Sequence, residues 1–269
     1  MRQQKAIACV RFQLKGFALK GFKIFTHALR MVFGNFGTVL RILVPPVLIA
    51  AAVFVGAMYM SGLSFEELDA SAQPAQGPNP IFILTAFLLI VFTFIWVAVA
   101  WHRFVLLEER PVGALPKPHM NAMMSYVGKI LLLSLIGVVC MIPVAVLLWA
   151  LVAVTNSPVL GLVPLLMMLV FSVFFLRASV VLPAAAIGRK LTVREAWEAT
   201  RGSTWPIVLC YFLSMVLGML LSGLSLGGTL ITPFLGVAVQ IATQPVLTVI
   251  NMSVLTTLYG HYVEGRELI

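Results

Sequence analysis

The sequence predicts an all-α, polytopic integral membrane protein with six transmembrane helices. Three observations carry that expectation. Of its 269 residues, 61% are hydrophobic and only 10% are charged, where a soluble domain carries about 25% charged residues. So small a polar shell cannot enclose so much apolar side chain, and lipid must be the solvent for most of the surface. Several apolar runs reach the roughly 20 residues that a helix needs to cross hydrocarbon. The cations, finally, all fall on one side of those runs.

Residues 1–37 read as a basic amphipathic segment. Lys20, Lys23, His27 and Arg30 recur at steps of three and four, and Leu14, Phe17, Gly21, Ile24, Ala28 and Val32 do likewise on the other side. Such a helix suits the headgroup layer. A basic start also marks secretory signals. Here Lys and Arg interrupt everything before the run that opens near Thr38, so the first span reads as an uncleaved anchor. A mitochondrial transit peptide is the rival reading, against which the arm is poor in serine.

Residues 38–269 read as the transmembrane domain. The first span covers about Thr38 to Met60, with Pro45 and Pro46 predicting a distorted start. The second covers Ile81 to Trp101, with Asn79 and Pro80 as N-cap and first helical residue. The third covers about Lys129 to Val154. The fourth starts at Pro158 behind an N-cap at Ser157 and runs beyond Phe175. The fifth covers about Pro206 to Leu226, and the sixth Leu230 to Tyr259.

The formal net charge of +9 follows the same plan. Cations lie from Arg2 to Arg41, then at Arg103, Arg110, Lys117 and Lys129, then at Arg177, Arg189, Lys190, Arg194 and Arg201, and last at Arg266. The loops on the other side have none, and Ser61 to Pro80 carries Glu66, Glu67 and Asp69. By the positive-inside rule both termini are expected in the cytoplasm. The charge is thereby a topological signal, and no nucleic-acid partner is expected.

The run FLRASVVLPAAAIGRKLTVREAWEATRGSTW, Phe175 to Trp205, joins spans four and five. Measured from Pro158 at 1.5 Å per residue, Arg177 lies about 28 Å along the helix. That is close to the thickness of hydrocarbon, so Arg177 is expected to snorkel to lipid phosphates. Ser179 to Ile187 is expected to emerge as an extension kinked at Pro183. Thr192 and Glu195 have capping-box spacing. Arg194 and Glu198 are an i,i+4 pair. Gly202 is expected to end that short helix, and Trp205 to open span five at the interface.

A weak repeat runs through the chain. ALRMVFG ends at Gly34, AMMSYVG at Gly128 and AWEATRG at Gly202, each ahead of the first member of a span pair. The placement predicts three units, each an amphipathic segment plus a transmembrane hairpin. WHRFVLLEER after span two and YGHYVEGRE after span six rhyme in the same way.

Sites of chemistry are scarce. The three cysteines, Cys9, Cys140 and Cys210, form no motif and read as small packing residues. His102, Glu108, Glu109 and His119 share one loop, but their spacing fits no compact metal site and charge pairing with Arg103 and Arg110 is the simpler account. There is no phosphate-binding glycine loop, nucleophile elbow or zinc-protease motif. The most polar span is the sixth, where Gln240, Gln244, Thr248 and Asn251 form one helical stripe beside Pro245. Facing lipid the stripe would be costly, so it is expected to face protein or water.

Arg177, Leu182-Pro183, Ala196-Trp197 and Arg201-Gly202 together form a pattern that resembles one bacterial group. It is similar to the membrane proteins related to the membrane domain fused to some glycerophosphodiester phosphodiesterases. The resemblance implies a six-span layout. In that group the phosphodiesterase chemistry belongs to a separate soluble barrel, for which this chain has no room, so no catalysis is implied here.

The functional expectation is a non-enzymatic protein of the bacterial inner membrane, without cofactor or metal. It would meet anionic lipids, or other membrane proteins, through Lys20, Lys23, Arg30, Arg177, Trp197, Arg201 and Trp205. The alternative is a small transporter or lipid flippase using the stripe on span six. A membrane-embedded lipid enzyme ranks third, for want of clustered catalytic groups.

Overall fold

The computed structural model describes residues 19–60, 80–111, 113, 115–155 and 163–268. All regular structure among them is helical. Helix α1 spans residues 19–34. It is followed by α2 (Phe36–Met60), α3 (Pro80–Leu107), α4 (Met120–Thr155) and α5 (Val163–Ala178). Two short helices, α6 (Val181–Ala186) and α7 (Val193–Ala199), precede α8 (Thr204–Ile231) and α9 (Pro233–Tyr262). Five of them, α2, α3, α4, α8 and α9, are long and apolar enough to cross a membrane. Their outer faces expose Leu, Ile, Val and Phe freely, which in lipid carries no penalty. This is a multi-pass all-α membrane protein.

The predicted ends of the spans shift where local chemistry decides. Helix α2 runs unbroken through Pro45 and Pro46. Each proline removes one donor, and membrane helices tolerate that where neighbours or water re-satisfy the carbonyl. Helix α3 continues to Leu107 and stops at Glu108, whose φ of 56° no helix accommodates. The last two helices part at Thr232, later than the sequence suggested. Thr232 precedes a proline, takes extended φ and ψ, and its hydroxyl accepts from Leu235 N at 3.1 Å. The expected caps Asn79 and Ser157, the acidic loop and the N-terminal residues Leu14 and Phe17 lie outside the described residues.

The buried residues gather at one end of the bundle. They come from the last turns of α3 (Ile95 to Leu106), the first turns of α4, all of α6, the start of α8 and the last turns of α9 (Val249 to Gly260). Helix α1 joins this core with Ile24, Phe25, Ala28 and Val32. The face bearing Ile24, Ala28 and Val32 is therefore turned to protein, while Leu19, Phe22 and Phe33 stay exposed. Gly21 explains the fit, since a Cβ there would stand 2.7 Å from Pro206 O, and the Cys210 thiol donates to Gly21 O at 3.1 Å. Away from this end each pair of helices holds itself. Phe54 meets Phe82 with ring centroids 5.4 Å apart between α2 and α3. Between α8 and α9, Gly228 packs on Gly236 and Ser225 Oγ donates to Gly236 O at 2.9 Å.

The three repeat alanines, Ala28, Ala122 and Ala196, are all buried, and so are Val32, Tyr126 and Thr200 four residues on. The second copy departs from the expected plan, because residues 122–128 form the opening turns of α4 itself.

Helix α6 corrects a second expectation. Residues 179–187 do not emerge as an extension; every residue of α6 is buried. The chain breaks at Ser179 and Val180, ahead of Pro183. A proline at 183 cannot donate to Ser179 O, and Leu182 N bonds that carbonyl instead at 2.9 Å. Ser179 Oγ donates back to Phe175 O at 2.7 Å and closes the end of α5.

Candidate functional site

The buried end is also the basic end, and it contains a cleft of about 850 Å3. Its walls are the end of α3, the first turns of α4 and the segment 185–195 that joins α6 to α7. Four cations line it, Arg103, Lys129, Arg189 and Lys190, against one wall carboxylate, Glu195.

Three of the four cations are placed by a backbone contact or an ion pair that leaves donors over. Arg103 donates Nε to Glu109 Oε2 at 2.7 Å and one terminal N–H to Ala186 O at 3.2 Å. Lys129 donates to Leu191 O at 2.9 Å, and an ammonium has two further N–H groups. Arg189 pairs with Glu264 at 3.0 Å while remaining 64% exposed. Lys190 is exposed. The segment can turn this tightly because Gly188 adopts a φ of +77°. Asn121 and Ala122, in the first turn of α4, also line the cleft. Their backbone N–H groups have no partner further back in the helix, so the positive end of the α4 dipole points there.

The carboxylates are committed elsewhere. Glu109 is shared, with His119 Nε2 on its Oε1 at 2.7 Å. Burial pushes the Glu109 carboxyl up, but the bond and charge of Arg103 and those of His119 outweigh it and hold it below its usual range. Glu195 completes the capping box of α7. It accepts from Thr192 N at 2.7 Å, and its own N–H donates to Thr192 Oγ1 at 3.2 Å. The bond from Thr192 N also keeps this carboxyl below its usual range. Arg194 and Glu198 pair at 3.0 Å as the spacing predicts, and Gly202 takes a φ of +76° just past α7.

The residues expected at the lipid surface divide. Lys23, Arg30, Arg201 and Trp205 are exposed at the basic end, Trp205 by 62%. Lys20 leans over the Tyr262 ring, 5.0 Å from its centroid. Arg177 turns inward instead of snorkelling and is 6% exposed. Its guanidinium lies 3.8 Å from the centroid of the Trp197 ring. Nε donates to Thr200 Oγ1 at 3.1 Å and a terminal N–H to Trp197 O at 3.0 Å. The end of α7 offers free carbonyls and an aromatic face nearer than any phosphate, and Arg177 takes both. Trp197 is also stacked on Phe174, with centroids 5.3 Å apart and planes within 6°.

The loop of four titratable groups also divides. His102 is buried away from Glu109 and His119. Its Nδ1 lies 2.7 Å from Thr256 Oγ1, and its Nε2 lies 3.4 Å from the Tyr126 hydroxyl. The Thr256 hydroxyl donates to Met252 O, so its oxygen must accept, which fixes the proton of His102 on Nδ1. Three helices, α3, α4 and α9, meet in this neutral chain of bonds, which sequence spacing does not reveal.

The stripe of α9 is accessible along its length. Gln240, Gln244 and Asn251 are exposed and Thr248 is half-buried. The side chains of the three amides have no hydrogen-bond partner among the described residues. Gln244 and Thr248 line an open, mostly apolar groove of about 480 Å3 whose other walls are α2 and α3, from Leu43 to Phe54 and from Leu89 to Val97. The chain matches no known family model, no curated protein and no solved structure.

Proposed function

We propose that this protein is a non-enzymatic component of the bacterial inner membrane that holds anionic lipid headgroups at its basic, cytoplasmic end. The observation that carries the reading is the cleft. Arg103, Lys129, Arg189 and Lys190 face one concave space, with the first turn of α4 as a further anion-attracting wall. In a six-span arrangement of three helix pairs with both termini inside, all of these lie at the inner leaflet. Anionic lipids there attract each nearby Lys or Arg by about 1 kcal/mol. Exposed Lys23, Arg30, Arg201 and Trp205 extend the same surface, and accessory binding to other membrane proteins would use it too. The six-span layout is also what the resemblance to the membrane domain of glycerophosphodiester phosphodiesterases implies.

The test is reconstitution of the full chain into nanodiscs of mixed zwitterionic and anionic lipid, followed by identification of the lipids retained after exchange into detergent. Anionic lipid should be enriched, and Arg189→Glu with Lys190→Glu should abolish the enrichment. Equal retention of both lipid classes by the unaltered protein would defeat the reading.

A further inference from the structure

Resting on the proposed hold on anionic headgroups, we infer that the lipid held is one with two phosphates joined by a short bridge, seated across Arg103 with one phosphate on each side. Beside the cleft of about 850 Å3 lies a second, of about 450 Å3, and Arg103 and His119 line both. The first brings Lys129, Arg189 and Lys190 to Arg103. The second brings Arg110 and Lys117. Each side therefore has cations of its own, against Glu195 in one wall and Glu109 in the other. Both carboxylates are already committed, Glu195 to Thr192 N and Glu109 to Arg103 and His119.

The segment after α3 builds the second cleft. Glu108 takes a φ of 56° and ends the helix. Trp96 Nε1 then donates to Pro116 O at 3.2 Å, which folds the returning segment back against α3. Arg110 and Lys117 thereby line the same cleft as Arg103. Ile42 of α2 and Ala100 of α3 supply an apolar part of its wall, and cations beside apolar wall suit an amphiphile. Arg103 is the partition between the clefts. A guanidinium has five N–H groups. Nε is spent on Glu109 and one N–H of Nη1 on Ala186 O. The remaining three are left for phosphate oxygens, with which arginine makes strong, directed bonds.

Two single-phosphate lipids would fill both clefts only by bringing separate like charges to one arginine and by losing the freedom of two molecules. A covalent bridge between the phosphates makes the second contact intramolecular, so its association cost largely disappears. Basic pockets at the cytoplasmic ends of membrane helices suit such multiply charged headgroups.

The experiment uses the full chain in nanodiscs of zwitterionic lipid carrying either diphosphatidylglycerol or twice its molar amount of phosphatidylglycerol, so that lipid charge is matched. Lipids retained after exchange into mild detergent are measured by mass spectrometry. Per unit of charge, the two-phosphate lipid should be retained about tenfold or more better. Arg110→Gln with Lys117→Gln should bring that ratio down to unity. Arg41→Gln with Arg194→Gln, which removes the same charge outside both clefts, should leave the ratio in place. All four of these cations are exposed, so the substitutions spare the core. Equal retention of the two anionic lipids, both above the zwitterionic one, would overturn this inference and leave the proposed function standing. Equal retention of zwitterionic and anionic lipid would remove both. A ratio that survives the loss of Arg110 and Lys117 would also overturn it. So would displacement of the lipid by pyrophosphate at the same concentration, which would give the clefts to a soluble ligand.

Discussion

His102 and Thr256 are 154 positions apart, yet Nδ1 and Oγ1 stand 2.7 Å apart inside the basic end. Because Thr256 also donates to Met252 O, each polar atom in this chain of bonds has one role. Replacing Thr256 by Val should leave the His102 N–H unpaired, at a cost of about 1–3 kcal/mol. The double variant with His102→Leu should recover part of that loss, because no orphaned donor remains. Apparent melting temperatures in mild detergent measure both. A double variant whose loss is the full sum of the two single losses would mean that the bond contributes nothing.

Arg177 offers a sharper chemical test. Its planar guanidinium both covers Trp197 and donates to Thr200 and to Trp197 O. Lysine keeps the charge but not the plane or the fork. Arg177→Lys should therefore weaken the docking of α7 by about 1–2 kcal/mol, with proteolysis between residues 188 and 203 rising roughly tenfold. Unchanged cleavage would show that charge alone suffices there.

Gly21 should tolerate no side chain. Gly21→Ala places a Cβ against Pro206 O and Leu209, and overpacking of this kind costs about 1–3 kcal/mol. Gly34 ends the same helix with nothing within 4 Å of a built Cβ, so Gly34→Ala should be harmless. Equal effects of the two substitutions on thermal stability would contradict the close crossing of α1 and α8.

The Glu109 pair sets a pH dependence of known sign. Its carboxyl is held below its ordinary value of 4.5 by Arg103 and His119 against the opposing effect of burial. A group with a depressed folded value contributes stability that is present above the ordinary value and is lost as pH falls through the folded one. Stability should thus drop in acid below about pH 4.5, and Glu109→Gln should flatten that drop. A variant with the same acid profile as the unaltered chain would place the titrating group elsewhere.

The proposed six spans are tested by topology reporters. Fusions after Gly62 and Asn156 should report the periplasm and a C-terminal fusion the cytoplasm. A periplasmic C-terminus together with a cytoplasmic N-terminus would mean an odd number of crossings and would overturn the six-span layout.

Local signals were legible in the sequence because they act within a few residues. The Thr192–Glu195 box, the Arg194–Glu198 pair and the turn at Gly202 all appear where spacing placed them. The apolar helices were legible for the same reason that lipid accepts them. Which face meets protein was not, since protein core and lipid tail are equally apolar and select the same residues. So α1 was assigned to the headgroups, and its core face is instead filled by Ile24, Ala28 and Val32. Of the cleft, the cations were visible as a topological signal. Their convergence depended on burial of α6, which places Ala186 O before Arg103 and sets residues 187–192 across from Lys129. The inward turn of Arg177 likewise needed Trp197 in position, 20 residues further on.

Confinement of the shared core to one end gives the helix pairs a common fulcrum. Bilayers differ in thickness by a few Å, and long spans answer such mismatch by tilting. Here the tilt can be taken up by the far ends, where Phe54 and Phe82 hold one pair and Gly228 and Gly236 another. The spread between pairs would then track membrane thickness, while His102, Arg177 and the cleft keep their geometry. A spectroscopic distance between Tyr59 and Leu230, at the tips of the first and last pairs, should accordingly change between thin and thick bilayers. One between Arg110 and Arg201 at the basic end should not.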